Sequence, residues 1–355
     1  MTQHGTVGVL TFHKCINYGS YWQARCLVEG LRARGFAAEL LDHECDDVRL
    51  AEWRCSLQPS LPQRTPRARL GEYKRKTRKF FDAWRHLPLS GRFSLHHPEQ
   101  AGRYDKVVIG SDEVWNFRHP WYSGKPIFYG DGLRSERLIS YAATFGNHDA
   151  ADGFDPKWAG KLKRFSALSV RDENSRSLVS GALGIDPALV LDPCLQFPDA
   201  IPNEPAQRSP YALIYGHGFP EWLQQRVRQW SDARGLTLLS VGYHNAWADE
   251  QALGAGPIEF APLVKGASAV VTNFFHGCVF ALLRDKPLVT TPSDYRFNKI
   301  RDLTAALNAS ERIVNEASSP QWIGHLLETP LGGRVHERVV QLRAQSHAFL
   351  DAALA

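Results

Sequence analysis

The sequence has no apolar run approaching the roughly 20 residues that a membrane-spanning helix requires, so it offers no candidate span. Its start goes almost at once into Val7-Gly8-Val9-Leu10, without the basic stretch, longer apolar core and small-residue cleavage site of a signal peptide. The six cysteines, Cys15, Cys26, Cys45, Cys55, Cys194 and Cys278, contain no C-x-x-C pair and no metal-ligand spacing. Buried free thiols in a reducing compartment fit this better than a disulfide framework, and a cytoplasmic protein is expected. No internal repeat or low-complexity tract is visible.

What is present is enough material for two cores: 355 residues, 43% of them hydrophobic. The net charge of +5 is local, because Arg64 to Arg92 holds ten Lys or Arg against only Glu72 and Asp82, leaving the remainder near −3. That stretch interleaves its cations with Phe80, Phe81 and Trp84. It reads either as a solvated helix whose aromatics pack on the domain beneath, or as a peripheral contact (64–92) with an anionic membrane at the cytoplasmic face of the inner membrane. Nucleic acid is not an expected partner.

Short Val/Ile/Leu-rich runs alternate with helical patterns, the signature of β-α-β units and parallel sheets. Val7 to Phe12 predicts a strand, Tyr21 to Arg34 a helix ending at Gly35, and Ala37 to Leu41 the next strand. Further strands are expected at 105–110, 137–142, 167–170 and 188–191. Phe197 to Pro210, with four prolines, reads as a linker. Beyond it Tyr211 to Tyr215, Leu236 to Val241, Ala269 to Thr272 and Pro287 to Thr290 predict a second set of strands, with helices near 220–233, 258–266 and 277–284. The expected fold is α/β, two Rossmann-like domains facing across a cleft: 1–205, 206–330, and a helix within 331–355 that packs back on the first.

In open parallel sheets ligands sit beyond the carboxyl ends of the strands. Three strands there run into ionisable loops: Val107-Val108-Ile109-Gly110-Ser111-Asp112, Ala167-Leu168-Ser169-Val170-Arg171, and Ala269-Val270-Val271-Thr272-Asn273-Phe274-Phe275-His276-Gly277. His276 falls at a helix start whose free N–H groups attract an anion, with Asn273 before it and Gly277 leaving room for a ligand; it could instead only bond the turn. Arg171 is either a bidentate clamp on a carboxylate or phosphate or a structural partner of Asp172, Glu173 or Asp192. Asp112, after Ser111, suits a general base, or a helix cap. Lys299 offers positive charge to a donor site or belongs to a solvated face. The first strand-to-helix loop offers His13, Asn17, Tyr18 and Gln23 to an acceptor, with Gly19 making the turn. The cluster Asp42-His43-Glu44-Cys45-Asp46-Asp47 fits no standard metal site, and no metal is expected.

These segments, with Thr11-Phe12-His13 and Asn17-Tyr18-Gly19, resemble the polysaccharide pyruvyl transferase family from about residue 7 to about residue 310. The resemblance implies a glycosyltransferase-B-like architecture with the acceptor on the first domain and the donor on the second. It implies transfer of the pyruvyl group of phosphoenolpyruvate to two hydroxyls of one sugar, forming a cyclic ketal and releasing phosphate, with no cofactor. His276 and Asp112 would then be catalytic, with Arg171, Asn273, Gly277, Lys299, His13, Asn17, Tyr18, Gln23 and Ser111 binding substrate. The acceptor would be a sugar on a lipid or nucleotide in surface-polysaccharide assembly. The chain departs from the family pattern at Phe274, where Ser is usual, at Glu113, where Gln is common, and at Trp22, where Leu is common. Two rival readings are a nucleotide-sugar glycosyltransferase of the same architecture and a non-catalytic scaffold of a polysaccharide-assembly complex.

Overall fold

The computed structural model describes residues 4–355. Two parallel sheets form its centre. The first has four strands in the order Ala37–Leu40, Thr6–Leu10, Arg103–Ile109, Arg134–Ser140; the second has five, Glu250–Ala252, Thr237–Val241, Tyr211–Tyr215, Ala269–Thr272, Leu288–Thr290. Val7 pairs with Ala38 and Lys106, and Val271 with Ile214 and Val289. Parallel pairing forces the chain to cross over between strands, and the apolar helical patterns supply the crossovers. Buried on both faces, central strands such as Val107 to Ile109 and Val270 to Thr272 are apolar throughout or nearly so. The strands expected at 167–170 and 188–191 shrink to Ser169–Val170 and Ala188–Leu189, a two-stranded ribbon joined to the first sheet by the Ile139–Ala167 and Ala143–Val170 bridges.

The first helix, Tyr18–Ala33, begins three residues before the position read from the sequence, because Asn17 caps it: its Oδ1 accepts from Gly19 N at 2.8 Å and Ser20 N at 3.2 Å. Gly35 follows its end at φ +89°, as the turn into the second strand requires. Phe275–Leu283 is the corresponding helix of the second sheet. Among the described residues no helix is long and apolar enough to cross a membrane.

One apolar cluster runs through both sheets, from Val9 and Leu27 by way of Tyr18 and Trp22 to Phe260, Phe280 and Leu213. Polar contacts tie the same junction: Tyr18 Oη donates to Ala255 O at 2.7 Å, Trp22 Nε1 to Pro257 O at 2.9 Å, and Lys76 Nζ to Gly242 O at 3.1 Å. An apolar interface of this kind holds the two halves in a fixed relation. The C-terminal helix Gly333–Leu354 crosses back onto residues of the first half, where Ser346 Oγ accepts from Leu191 N at 2.9 Å and Arg343 Nη2 donates to Leu195 O at 2.7 Å.

The basic stretch is largely the helix Leu70–Trp84. Its aromatics turn inward: Phe80 is fully buried, Phe81 and Trp84 are half-buried, and Lys76 is itself buried between the rings of Tyr18 and Tyr243 at 4.9 and 4.7 Å. The apolar half of a membrane-docking surface is therefore spent on the protein core, and only the exposed cations such as Lys74, Arg75 and Arg78 face outward.

Candidate active site

A cavity of about 280 Å³ opens between the carboxyl ends of the two sheets. Asp112, Arg171, His276 and Lys299 line it together with Asn17, so these sequence candidates do converge. The others do not. His13 is fully buried, with Nε2 on Asp42 Oδ1 at 3.1 Å and Nδ1 near Thr11 O at 3.2 Å, so it braces the first loop. Tyr18 stacks on Phe260 at 4.4 Å in the interdomain core and offers no platform to an acceptor. Gln23 and Ser111 bond each other, Ser111 Oγ donating to Gln23 Oε1 at 2.6 Å, and both are solvent-free. Asn273 donates to His217 O at 2.7 Å from behind the cavity wall. Gly277 is small for packing, not for a ligand: a Cβ there would meet Thr272 Oγ1 at 2.1 Å. Asn17, as the helix cap, has its side-chain oxygen already engaged.

The centre of the site is a chain of charges. Arg171 Nη1 donates to Asp192 Oδ2 at 2.6 Å, its Nη2 lies 3.5 Å from Asp112 Oδ1, and its plane covers the Phe275 ring at 4.2 Å. This is the structural alternative for Arg171, whose two terminal nitrogens are both committed to carboxylates. Burial alone would raise the Asp192 carboxyl, but His276, Arg171 and the Cys194 N–H outweigh it and hold it well below the usual range. His276 Nε2 is buried 3.4 Å from Asp192 Oδ2, and its Nδ1 packs against Gly19 of the first helix. Asp112, held at φ +75°, accepts from Ser20 Oγ at 3.2 Å and from Glu113 N at 3.0 Å.

Lys299 is not a free cation. It forms a buried ion pair with Glu113, whose carboxyl burial would raise but the ammonium holds low. The unpaired cation is its neighbour Arg296, which makes no ion pair among the described residues and lies 4.4 Å over the Phe274 ring. Phe274 in turn packs edge-on against Tyr215, Tyr243 and His217 at 4.9, 5.0 and 5.6 Å. As N-cap of the Phe275–Leu283 helix it supplies no side-chain acceptor, so the first-turn N–H groups stay uncapped by any side chain. His119 also lines the cavity; its Nδ1 accepts from Trp121 N at 3.3 Å and Tyr122 N at 3.2 Å, which assigns the proton to Nε2. Burial lowers its pKa, against the pull of Glu113 and Asp112.

Sequence reading named Asp192 only as a structural partner for Arg171, though an Asp before Pro193 closing an apolar run is a signal of its own, and it gave no role to Arg296 or His119: Arg296 was masked by Lys299, and His119 sits in a stretch with no pattern of its own. Asp192, Cys194 and His276 bring ligand-type atoms within 4.8 Å of one another. They suit a metal poorly, since Arg171 already holds Asp192 and burial pushes the Cys194 thiol well up, away from the thiolate.

No curated protein matches the sequence. The fold aligns with UDP-GlcNAc 2-epimerase from Methanocaldococcus jannaschii, solved with UDP-GlcNAc and UDP, at TM-score 0.50 and 13% identity over 95% of this chain and 98% of that one. The Neisseria meningitidis UDP-GlcNAc 2-epimerase aligns at TM-score 0.47 and 10% identity, over 96% of this chain and 93% of its own. An E. coli heptosyltransferase aligns at 0.40 and 15%, over 83% and 90%. The architecture is thus two Rossmann-like α/β domains of the glycosyltransferase-B kind. The profile of one family, polysaccharide pyruvyl transferase, spans residues 17–295, which takes in Asp112, Arg171, Asp192 and His276 and all but Arg296 and Lys299 of the cavity's charged centre. This chain belongs to the polysaccharide pyruvyl transferase family.

Proposed function

We propose that the cleft moves the pyruvyl group of phosphoenolpyruvate onto two hydroxyls of one sugar, making a cyclic ketal and releasing phosphate, during assembly of a surface polysaccharide in the reducing interior of the cell. The observation that carries this reading is that His276 and Asp112, from the two facing sheets, line one cavity with an unpaired cation, Arg296. Addition of the first hydroxyl across the enol double bond needs a proton taken from oxygen and a proton given to the methylene carbon. In this reading Asp112 takes the first proton and His276, whose Nε2 faces Asp192, gives the second. The C–O bond to phosphate then breaks, leaving an oxocarbenium-like carbon. The second hydroxyl attacks it, and its proton goes with the departing phosphate. Arg296, the uncapped N–H groups of the Phe275–Leu283 helix and His119 Nε2–H supply positive ends for the donor's phosphate and carboxylate. Arg171 holds Asp112 and Asp192 in place and is a positioning residue.

The test is to incubate the purified protein with phosphoenolpyruvate and a panel of sugars, free, nucleotide-linked and lipid-linked, following phosphate release and product mass. Ketal-bearing product and stoichiometric phosphate are expected. Turnover of a nucleotide sugar without phosphoenolpyruvate would replace this reading with glycosyl transfer.

A further inference from the structure

The helix Asp46–Leu57 has two unlike faces. Glu52, Cys55 and, just beyond the helix, Pro59 line the reaction cleft. On the opposite side Leu50, Trp53, Arg54 and Leu57 follow the i, i+3, i+4, i+7 spacing of one helical stripe, and that stripe meets water: Leu50 is 47% exposed and Trp53 41%. Leu61, in the loop that follows, is 63% exposed. The basic helix Leu70–Trp84 lies alongside, with Thr77 Oγ1 donating to Ser56 Oγ at 3.2 Å and the Phe81 ring 6.0 Å from Trp53. Lys74 and Arg78 share a stripe with Phe81 and so border the same surface. Five exposed cations here, Arg54, Arg64, Arg67, Lys74 and Arg78, make no ion pair among the described residues. Most of the nearby acids are engaged, Asp46 by Arg49, Glu72 by Arg75 and Asp82 by Arg85, which leaves Asp47 as the exposed exception.

We infer that this face is a peripheral contact with a bilayer rich in anionic lipid, and that it sets the cleft beside the membrane. The rings of the basic helix are spent on the core, but the apolar half of the contact comes from a different helix and its loop. The free cations draw the surface to negative headgroups, and Leu50, Trp53 and Leu61 enter the boundary beneath them, where tryptophan is favoured. The backbone of a nucleic acid or a polyacidic chain would pair the cations and give these three side chains nothing apolar to meet. Because Cys55 and Pro59 wall the cleft while Trp53 and Leu61 face outward, the bound protein holds its cleft within a helix diameter, about 10 Å, of the lipid surface. The surface lies outside the catalytic residues, so the inference is independent of the pyruvyl transfer reading.

The experiment is cosedimentation of the full chain, without substrates, with vesicles of phosphatidylcholine alone or with about one-third phosphatidylglycerol, at salt of about 0.02 and about 0.5 M. Binding is expected to the anionic vesicles only, and to fall away at the higher salt. Arg64→Gln, Arg67→Gln, Lys74→Gln and Arg78→Gln combined should lower the partition about a hundredfold or more, since each cation near an anionic surface is worth about fivefold. Leu50→Ser with Trp53→Ser should lower it about tenfold through lost apolar burial. All six side chains are exposed or half-buried, so both variants should melt near the wild type. Tryptophan emission should shift to the blue on anionic vesicles, and Trp53→Phe should abolish the shift. No vesicle binding, equal binding to neutral vesicles, an unaffected cation variant, or an unchanged shift in Trp53→Phe would overturn the contact. Tighter binding to single-stranded DNA or polyglutamate than to anionic vesicles at the same salt would overturn it too, and assign the surface to an acidic polymer.

Discussion

The imidazole of His276 rests directly on Gly19: a Cβ at residue 19 would lie 2.0 Å from His276 Nδ1. The helix of the first domain thus needs a glycine where the second domain's histidine closes over it. Gly19→Ala should help the helix itself, by up to about 1 kcal/mol, since alanine is the better helix former. It should also push the ring off Asp192. The expected result is a melting temperature near wild type with kcat lowered about 10²-fold or more, the usual worth of a positioned acid or base. Unchanged kcat would mean that the ring's position has no part in turnover.

Asp192 is the hinge of the charge chain, touching both Arg171 and His276 with the same Oδ2. Asp192→Asn would leave the buried guanidinium of Arg171 facing Asp112 alone. Breaking a buried ion pair from one side typically costs about 3–5 kcal/mol, so this variant should unfold at clearly lower temperature as well as lose activity. His276→Gln, by contrast, removes no buried charge partner of Arg171 and should lose activity with little change in melting. Equal melting of the two variants would show that the pair contributes nothing to folding.

The parallel sheets were legible because their signal is local: apolar runs such as Ala269 to Thr272 came out with their observed ends. The site was legible only in part. Asp112, Arg171 and His276 lie at strand ends, where topology alone puts them near a ligand. Tyr18, Gln23, His13 and Ser111 lie equally close to a strand end, yet their side chains turn into the core. Which way a loop side chain points depends on partners such as Phe260 and Asp42, and no spacing rule encodes these. The glycine at 277 has its close neighbour in Thr272, and the glycine packed against the His276 ring is Gly19. Arg296 is left as the cavity's unpaired cation because Lys299 is neutralised by Glu113, a partner 186 positions away in sequence.

Phe274 and Arg296 should act as a unit. With its guanidinium 4.4 Å over the ring, Arg296 is held toward the cavity by an aromatic platform. Removing Arg296 as Ala should raise the KM for phosphoenolpyruvate about tenfold or more while leaving the acceptor KM close to wild type. Phe274→Ser, which restores the residue usual in the family, should give a smaller effect of the same kind. The double variant should be no worse than Arg296→Ala, because contacting residues are not additive. Additive losses would separate the two roles.

His43 makes stability depend on pH at a distance from the cleft. Burial drives its pKa down from 6.5 to about 3, with His13 beside it lowering it further against the Thr11 carbonyl and Asp42. Below about pH 6.5 the unfolded chain therefore takes up a proton that the folded chain refuses, and folding weakens as pH falls toward 3. His217, down to about 4, acts in the same sense. Glu52 acts oppositely, because burial raises it from 4.5 to about 6, so it takes up its proton in the folded state first between those values. A comparison of wild type with His43→Gln isolates the histidine. The variant should be less stable at pH 7.5, where it lacks only packing and the bond to Thr11, and the gap in melting temperature should narrow steadily between pH 6.5 and 4. The contribution removed approaches about 1.4 kcal/mol per pH unit once the unfolded histidine is fully charged. A constant gap across that range would mean that His43 takes up its proton alike in the folded and unfolded chain, with Asp42 offsetting its burial.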